Sequence, residues 1–132
     1  MICDICGSEM RYTDEAIVEE YRGVETSVTG IPHHVCDQCG NTSVHASELN
    51  RLGREQCIQT ARGLGLLTPE EIRALRKSFK ITQAEFERLV GVSTPTCSRW
   101  ETGAMLVSGT ADKLIRLLRA RPELIDVLRN LD

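Results

Sequence analysis

The chain has 132 residues, 41% of them hydrophobic but only 4% aromatic, enough for one ordinary domain or two small ones and a poor basis for a single large core. No apolar run approaches the roughly 18 residues of a membrane span, and Cys3 stands too near the start for a leader to precede it, so a cytoplasmic location with no membrane partner is expected. The net charge of −3 is an average over unlike halves: residues 1–66 hold five Arg against ten acids, a net −5, and residues 67–132 hold eleven Lys and Arg against nine acids, a net +2. The second half can sit beside phosphate while the first is repelled by it, which points to two modules with different partners.

Read along the chain, "ICDICGSE" opens with Cys3 and Cys6, and "HHVCDQCGN" repeats the same Cys-Asp-x-Cys-Gly pattern at Cys36 and Cys39. Between them "AIVEEYRGVETSVTGI", rich in Val, Ile, Thr and Tyr and punctuated by Gly23 and Gly30, predicts two or three short strands. "ASELNRLGREQCIQTAR" then predicts a helix through Leu49, Leu52, Gln56 and Ala61, weakened by Gly53. "GLG" at 63–65 breaks it and sets a boundary near Gly63 to Leu67, giving modules 1–64 and 65–132. "TPEE" from Thr68 starts a new helix with an N-cap Thr, a first-position Pro and acids in the first turn. In "ITQAEFERLV", Thr82 and Glu85 form a capping box, Ile81 and Phe86 a hydrophobic staple, and Gly91 ends the helix. "STPTCSRWETG" reads as a short helix capped by Ser93 and closed by Gly103. Two more follow, at 109–120 and from Pro122, with Leu114, Leu117, Leu118, Leu124, Ile125 and Leu128 at apolar-face spacing. The predicted fold class is α+β: a small β-rich module with a linker helix, then five helices.

Two C-x-x-C turns separated by 29 residues suit one tetrahedral zinc ion, since each turn aims two thiolates at one point and the intervening hairpin brings the turns together. Gly7 and Gly40 let each turn adopt φ > 0. A module of about 60 residues with few aromatics is marginal by core burial alone, and zinc can contribute an apparent ~10–16 kcal/mol of folding free energy. One structural Zn²⁺ per chain on Cys3, Cys6, Cys36 and Cys39 is therefore expected, with a rubredoxin-like iron site and thiol exchange as the alternatives. Four protein ligands leave no open position for water, and no βαβ pattern accompanies the C-x-x-C pairs, so no enzymatic role is expected. His33, His34 and His45 are read as surface residues, and Cys57 and Cys97 as buried thiols.

The "TQAEFERLVGVSTPTCSRWETG" segment has the spacing of a helix, a tight Gly-containing turn and a second helix for the major groove, with a plain helical bundle as the alternative. Through Thr82-Gln83, Gly91-Val92, Ser98-Arg99-Trp100-Glu101 and Gly103 it resembles the Xre/Cro-type helix-turn-helix family. That resemblance implies a small core of Ile81, Phe86, Leu89, Val92, Cys97 and Trp100, an interhelical Arg76–Glu101 ion pair, and an outward set of Gln83, Thr94, Thr96, Ser98 and Arg99. It assigns Gln83 to phosphate, while Arg99 suits guanine O6 and N7. Two residues depart from the family pattern. Pro95 falls in the first turn of the recognition helix with no side-chain hydrogen bond to offer, and Glu87 replaces a small residue between the two helices.

Taken together, the paired C-x-x-C, "YRGVETSVTGI", the linker helix, "ITQAEF", "SRWETG" and "LLRARPELI" make the chain similar to the MqsA-type antitoxins, which join a YgiT-type zinc-finger domain to such a helix-turn-helix domain. The resemblance implies a type II antitoxin whose zinc domain neutralises a toxin, commonly a ribonuclease, and whose second domain represses the shared operon. An acidic first half agrees, because an RNA-cutting partner is usually basic. One short recognition helix reads too little sequence, so a homodimer through the C-terminal domain is expected on two half-sites of operator DNA, with Leu114, Leu118, Leu124 and Leu128 as candidates for its face or for packing within the monomer. The competing expectation is a stand-alone Xre-type regulator whose zinc domain binds some other protein.

Overall fold

Five short strands precede six helices in the computed structural model, which describes residues 1–131, and the fold class is the expected α+β. The chain divides into two compact units, one of Met1–Gln56 and a second from Cys57 onward. The division lies inside helix α1 (Ala46–Leu64), so that helix contributes turns to both.

In the first unit β1 (Arg11–Thr13), β4 (His33–Val35) and β5 (Thr42–Val44) form an antiparallel sheet in the order β1-β4-β5. A separate hairpin pairs β2 (Ile17–Tyr21) with β3 (Val24–Val28). Its two-residue turn is Arg22-Gly23, with φ of 52° and 81°. Positive φ at both positions matches the right-handed twist of the strands, and Gly23 accepts it without strain. Ile17 and Val28, paired in register, bury one face of the hairpin with Ile31 and with Leu52 of α1. That packing outweighs the roughly 1 kcal/mol cost of Gly53, so α1 runs through it unbroken. It ends where the sequence places the break: Gly65, at φ 71°, lets its own amide reach the Arg62 carbonyl at 3.3 Å and the Leu66 amide reach the Ala61 carbonyl at 2.8 Å, a Schellman termination.

The second unit continues with α2 (Pro69–Ser78), α3 (Gln83–Val90), α4 (Thr96–Thr102), α5 (Gly109–Ala120) and α6 (Leu124–Arg129). Thr68 and Glu71 form a full reciprocal capping box on α2. Thr82 accepts the Glu85 amide at the start of α3, and left-handed Gly91 and Gly103 close α3 and α4. Ile81, Phe86, Cys97 and Trp100 lie in one core, with Leu89 and Val92 partly buried against it. Leu67, Ile72, Val107, Ala111 and Ile115 complete that core. The buried Asp112 carboxylate accepts the Leu67 amide at 2.8 Å and pairs with Arg116, which also donates to the Gly65 carbonyl at 2.6 Å. This anchors the turn leaving α1 to α5. Among the described residues no helix is long and apolar enough to cross a membrane.

Two expectations are corrected, and a choice left open at Leu118 is resolved. His33 is buried rather than on the surface, its Nδ1–H satisfied by the Ile31 carbonyl at 2.7 Å; His34 is half-buried and His45 exposed. Ser93 does not cap α4, and Pro95 is not in its first turn. Pro95 is itself the N-cap residue, at φ −106° and ψ 46°, and the Cys97 amide is satisfied by Glu87 instead of by a local hydroxyl. Leu118 faces the interior and is fully buried, since it follows Ala111 and Ile115 along the inner stripe of α5; Leu114, Leu124 and Leu128 are half-buried, while Leu117 and Val127 are exposed.

Candidate metal centre and nucleic-acid interface

The two cysteine turns have the same local structure. In the first, Cys3 N–H donates to the Ser8 carbonyl and Gly7 N–H to the Cys3 carbonyl, at 2.8 and 2.9 Å; in the second, Cys36 donates to Asn41 and Gly40 to Cys36, both at 2.8 Å. Gly7 and Gly40 have φ of 75° and 78°, the left-handed conformation expected from the spacing. The β1–β4 and β4–β5 ladders lie next to the turns in sequence and set them side by side.

All four sulfurs lie within 4.8 Å of one another, with Cys3 and Cys39 at 3.5 Å and Cys6 and Cys36 at 3.4 Å. Four sulfurs tetrahedral about zinc at ~2.3 Å are separated by about 3.8 Å, so this donor set and spacing fit the ion. Cys3 and Cys36 are buried and Cys6 and Cys39 exposed, which leaves the cluster at the surface with its inner half shielded.

Four thiolates this close repel, and the thiols respond unevenly. Amide donation from Cys6 and then Ile5, with help from Cys39 and Asn41, outweighs partial desolvation and draws Cys3 down to about 6. The Ser8 hydroxyl and amide lower Cys6. The Asn41 amide favours a Cys39 thiolate, but desolvation and the Cys3, Cys36 and Cys6 sulfurs outweigh it and push Cys39 up to about 12. Thiolates at this spacing favour a neutralising cation among them.

Around the cluster, the Asn41 side-chain amide reaches Cys3 Sγ at 3.6 Å. Arg11 grips Asp37 of the second turn with two bonds of 3.1 Å and holds its carboxyl below the usual range. Neither Arg11 nor Asn41 belongs to the C-x-x-C pattern, so spacing does not mark them, although Asn41 stands beside it.

On the helical side, α4 buries Cys97, Trp100 and Glu101 and leaves Arg99 exposed, with Thr96 and Ser98 half-buried and Thr94 and Pro95 exposed in the turn before it. The 3.6-residue period thus separates the anchoring residues from the candidate readers. The ion pair implied by the helix-turn-helix resemblance is present: Arg76 Nε and Nη2 donate to the two oxygens of Glu101 at 2.7 and 3.0 Å, and Arg76 Nη1 donates to the Ile81 carbonyl at 3.1 Å. Gln83, expected at a phosphate, donates to Glu101 at 3.3 Å, and the Cys97 thiol donates to Glu101 at 3.0 Å. Burial raises the Glu101 pKa, but Arg76, Cys97 and Gln83 outweigh it and hold the carboxyl below the ordinary range. Burial first, then Glu101, pushes the Cys97 thiol far up, so it is an inert core donor.

Glu87, marked by the sequence as a departure, is 5% exposed. Its carboxylate accepts the Thr94 hydroxyl and the Cys97 amide, each at 3.1 Å, and so joins α3 to the start of α4. No spacing rule signals this side-chain cap, because it comes from ten residues upstream rather than from the helix's own N-cap.

Comparison with known proteins agrees with this arrangement. Antitoxin MqsA of Escherichia coli is 27% identical over 131 residues, covering 98% of this chain and 100% of that protein. Antitoxin HigA-2 of Vibrio cholerae is 28% identical over 116 residues, 88% of each chain. The family described as the antitoxin component of bacterial toxin-antitoxin systems, MqsA, matches residues 1–129. With a match running from the first cysteine turn through α6, the chain belongs to the MqsA antitoxin family.

Proposed function

We propose that the chain neutralises a ribonuclease-type toxin through module 1–64, built around one structural Zn²⁺ on Cys3, Cys6, Cys36 and Cys39, and represses its own operon in the cytoplasm through module 65–132 bound as a dimer to operator DNA. Support for the DNA half comes above all from α4, whose buried Cys97, Trp100 and Glu101 leave Arg99 free to meet a base edge and Thr94, Pro95, Thr96 and Ser98 beside it. Gln83, at the start of α3, is the candidate phosphate contact. Leu114, Leu124 and Leu128, with the exposed Leu117 and Val127, supply apolar surface for a two-fold partner.

For the toxin half, support comes from the outward face of the β2–β3 hairpin. Glu20 pairs directly with Glu25 there, and the exposed Val18 lies on the same face. Like charges directly opposite one another are unfavourable, and a basic partner relieves them. Bound zinc supplies charge neutralisation for the four thiolates and holds the cysteine turns together.

The test has two arms. At fixed salt, DNA from upstream of the gene should bind more tightly than scrambled DNA, and Arg99→Ala should weaken that binding about 5- to 150-fold, the worth of a bidentate base contact of ~1–3 kcal/mol. Equal binding to both DNAs removes the repressor role. The product of the neighbouring open reading frame should co-purify with residues 1–64; failure to do so with the intact chain removes the toxin role.

A further inference from the structure

Thr94 is exposed in the turn before α4, yet its hydroxyl hydrogen is committed inward, to Glu87 Oε1 at 3.1 Å. The other oxygen of Glu87 is occupied by the Cys97 amide. An ionised carboxylate only accepts hydrogen bonds, and a hydroxyl has one hydrogen to give. Thr94 therefore has only oxygen lone pairs and a methyl group left for an outside partner.

We propose that Glu87 sets the polarity with which Thr94 reads DNA: Thr94 meets a base edge as acceptor and methyl, never as donor. The inference rests on the major-groove binding proposed above. In that groove adenine N6 and cytosine N4 donate and thymine offers a methyl, whereas guanine presents only the acceptors N7 and O6. Glu87, buried and out of reach of the DNA, is on this account a positioning residue that excludes guanine at the base facing Thr94.

The polarity can be reversed at nearly constant shape. In Glu87→Gln the Cys97 amide, which can only donate, requires the side-chain carbonyl to face it. The new NH₂ group then faces Thr94 Oγ1 and donates to it, which frees the hydroxyl hydrogen for an outside acceptor. Guanine should be gained at that one base by about two- to tenfold over adenine or cytosine, the worth of one net hydrogen bond. A purely structural role for Glu87 would weaken all positions alike.

The experiment is selection from a randomised duplex pool at one salt concentration by the full-length zinc-loaded chain, Glu87→Gln and Thr94→Val, with circular dichroism and Trp100 fluorescence confirming the fold of each. The expected result is a base position where the wild type excludes guanine, where Thr94→Val loses the preference for adenine or cytosine but keeps thymine, and where Glu87→Gln admits guanine. The inference is overturned if the Thr94-dependent position already selects guanine in the wild type, if Thr94→Val alters no position, or if folded Glu87→Gln leaves the base choice unchanged. In each of those cases DNA binding itself stands. If none of the three proteins enriches any sequence, the DNA reading fails and this inference with it. Should Glu87→Gln not fold, the wild-type base choice and its response to Thr94→Val still decide.

Discussion

Breaking the Arg76–Glu101 pair should unfold the helical unit under conditions that leave the wild type intact. The two side chains are only 13% and 5% exposed, so neither group recovers full hydration when its partner is lost. Removing one partner from such a pair costs about 3–5 kcal/mol, most of it the stranded charge. Arg76→Met takes the bidentate guanidinium away from the buried Glu101 carboxylate, and also removes a donor from the Ile81 carbonyl. A loss of about 3 kcal/mol is expected, equivalent to a fall in Tm of about 12 °C or more in a domain of this size. Glu101→Gln should cost a similar amount. The double variant removes both charges and should be less destabilised than the sum of the single variants by about 1.5–3 kcal/mol. Urea unfolding followed by Trp100 fluorescence reads this directly, since Trp100 is the single tryptophan of the chain and is 2% exposed in the same core. Additivity to within about 0.5 kcal/mol would refute the reasoning.

Acid should act through the same carboxylate. The folded-state pKa of Glu101 is depressed, so its contribution is complete above the ordinary value of 4.5 and is lost as pH falls through the folded value; Trp100-monitored stability should be level down to about pH 5 and then decline, less steeply in Arg76→Met. A strong chelator should remove one zinc per chain, by elemental analysis, and with it the β-sheet circular dichroism of the first unit while Trp100 emission stays buried in character; retention of that β signal in metal-free protein counts against a structural ion. Gly91→Ala places a methyl group in open space but at φ 83°, so it should cost only the left-handed penalty of about 1–2 kcal/mol in urea; a loss above about 3 kcal/mol would mean that the turn has a further role.

Much of this architecture is legible in the sequence because its signals are local. A cysteine turn, the Thr68 N-cap followed by Pro69 and the glycine ends of α3 and α4 each need only residues within a few positions of one another. The four-sulfur cluster follows from two copies of one such signal. What escaped depends on contacts that no short window contains. His33 has the composition of a polar surface residue, and its burial depends on the Ile31 carbonyl accepting its Nδ1–H. Leu118 and Leu114 differ by one helical turn, and spacing alone does not say which of them meets the core. Glu87 and Asp112 are carboxylates that serve distant backbone amides, at Cys97 and Leu67, and a long-range side-chain cap carries no periodicity. The place of Pro95 has the same origin: with Glu87 capping α4 from outside, the chain needs no polar residue at the cap position.

The mirrored cysteine turns bear on how the first unit assembles. Each is a closed local motif held by its own backbone bonds, so either can form before the other is near. What remains is to bring together the ends of an excursion of 29 residues, an entropic penalty of about 3 kcal/mol. Against the free energy of four metal–thiolate bonds that penalty is small. On the proposed metal site, an ion would work as a clasp that joins two ready-made claws, and changes in the length of the hairpin between them should be tolerated far better than any change within a claw.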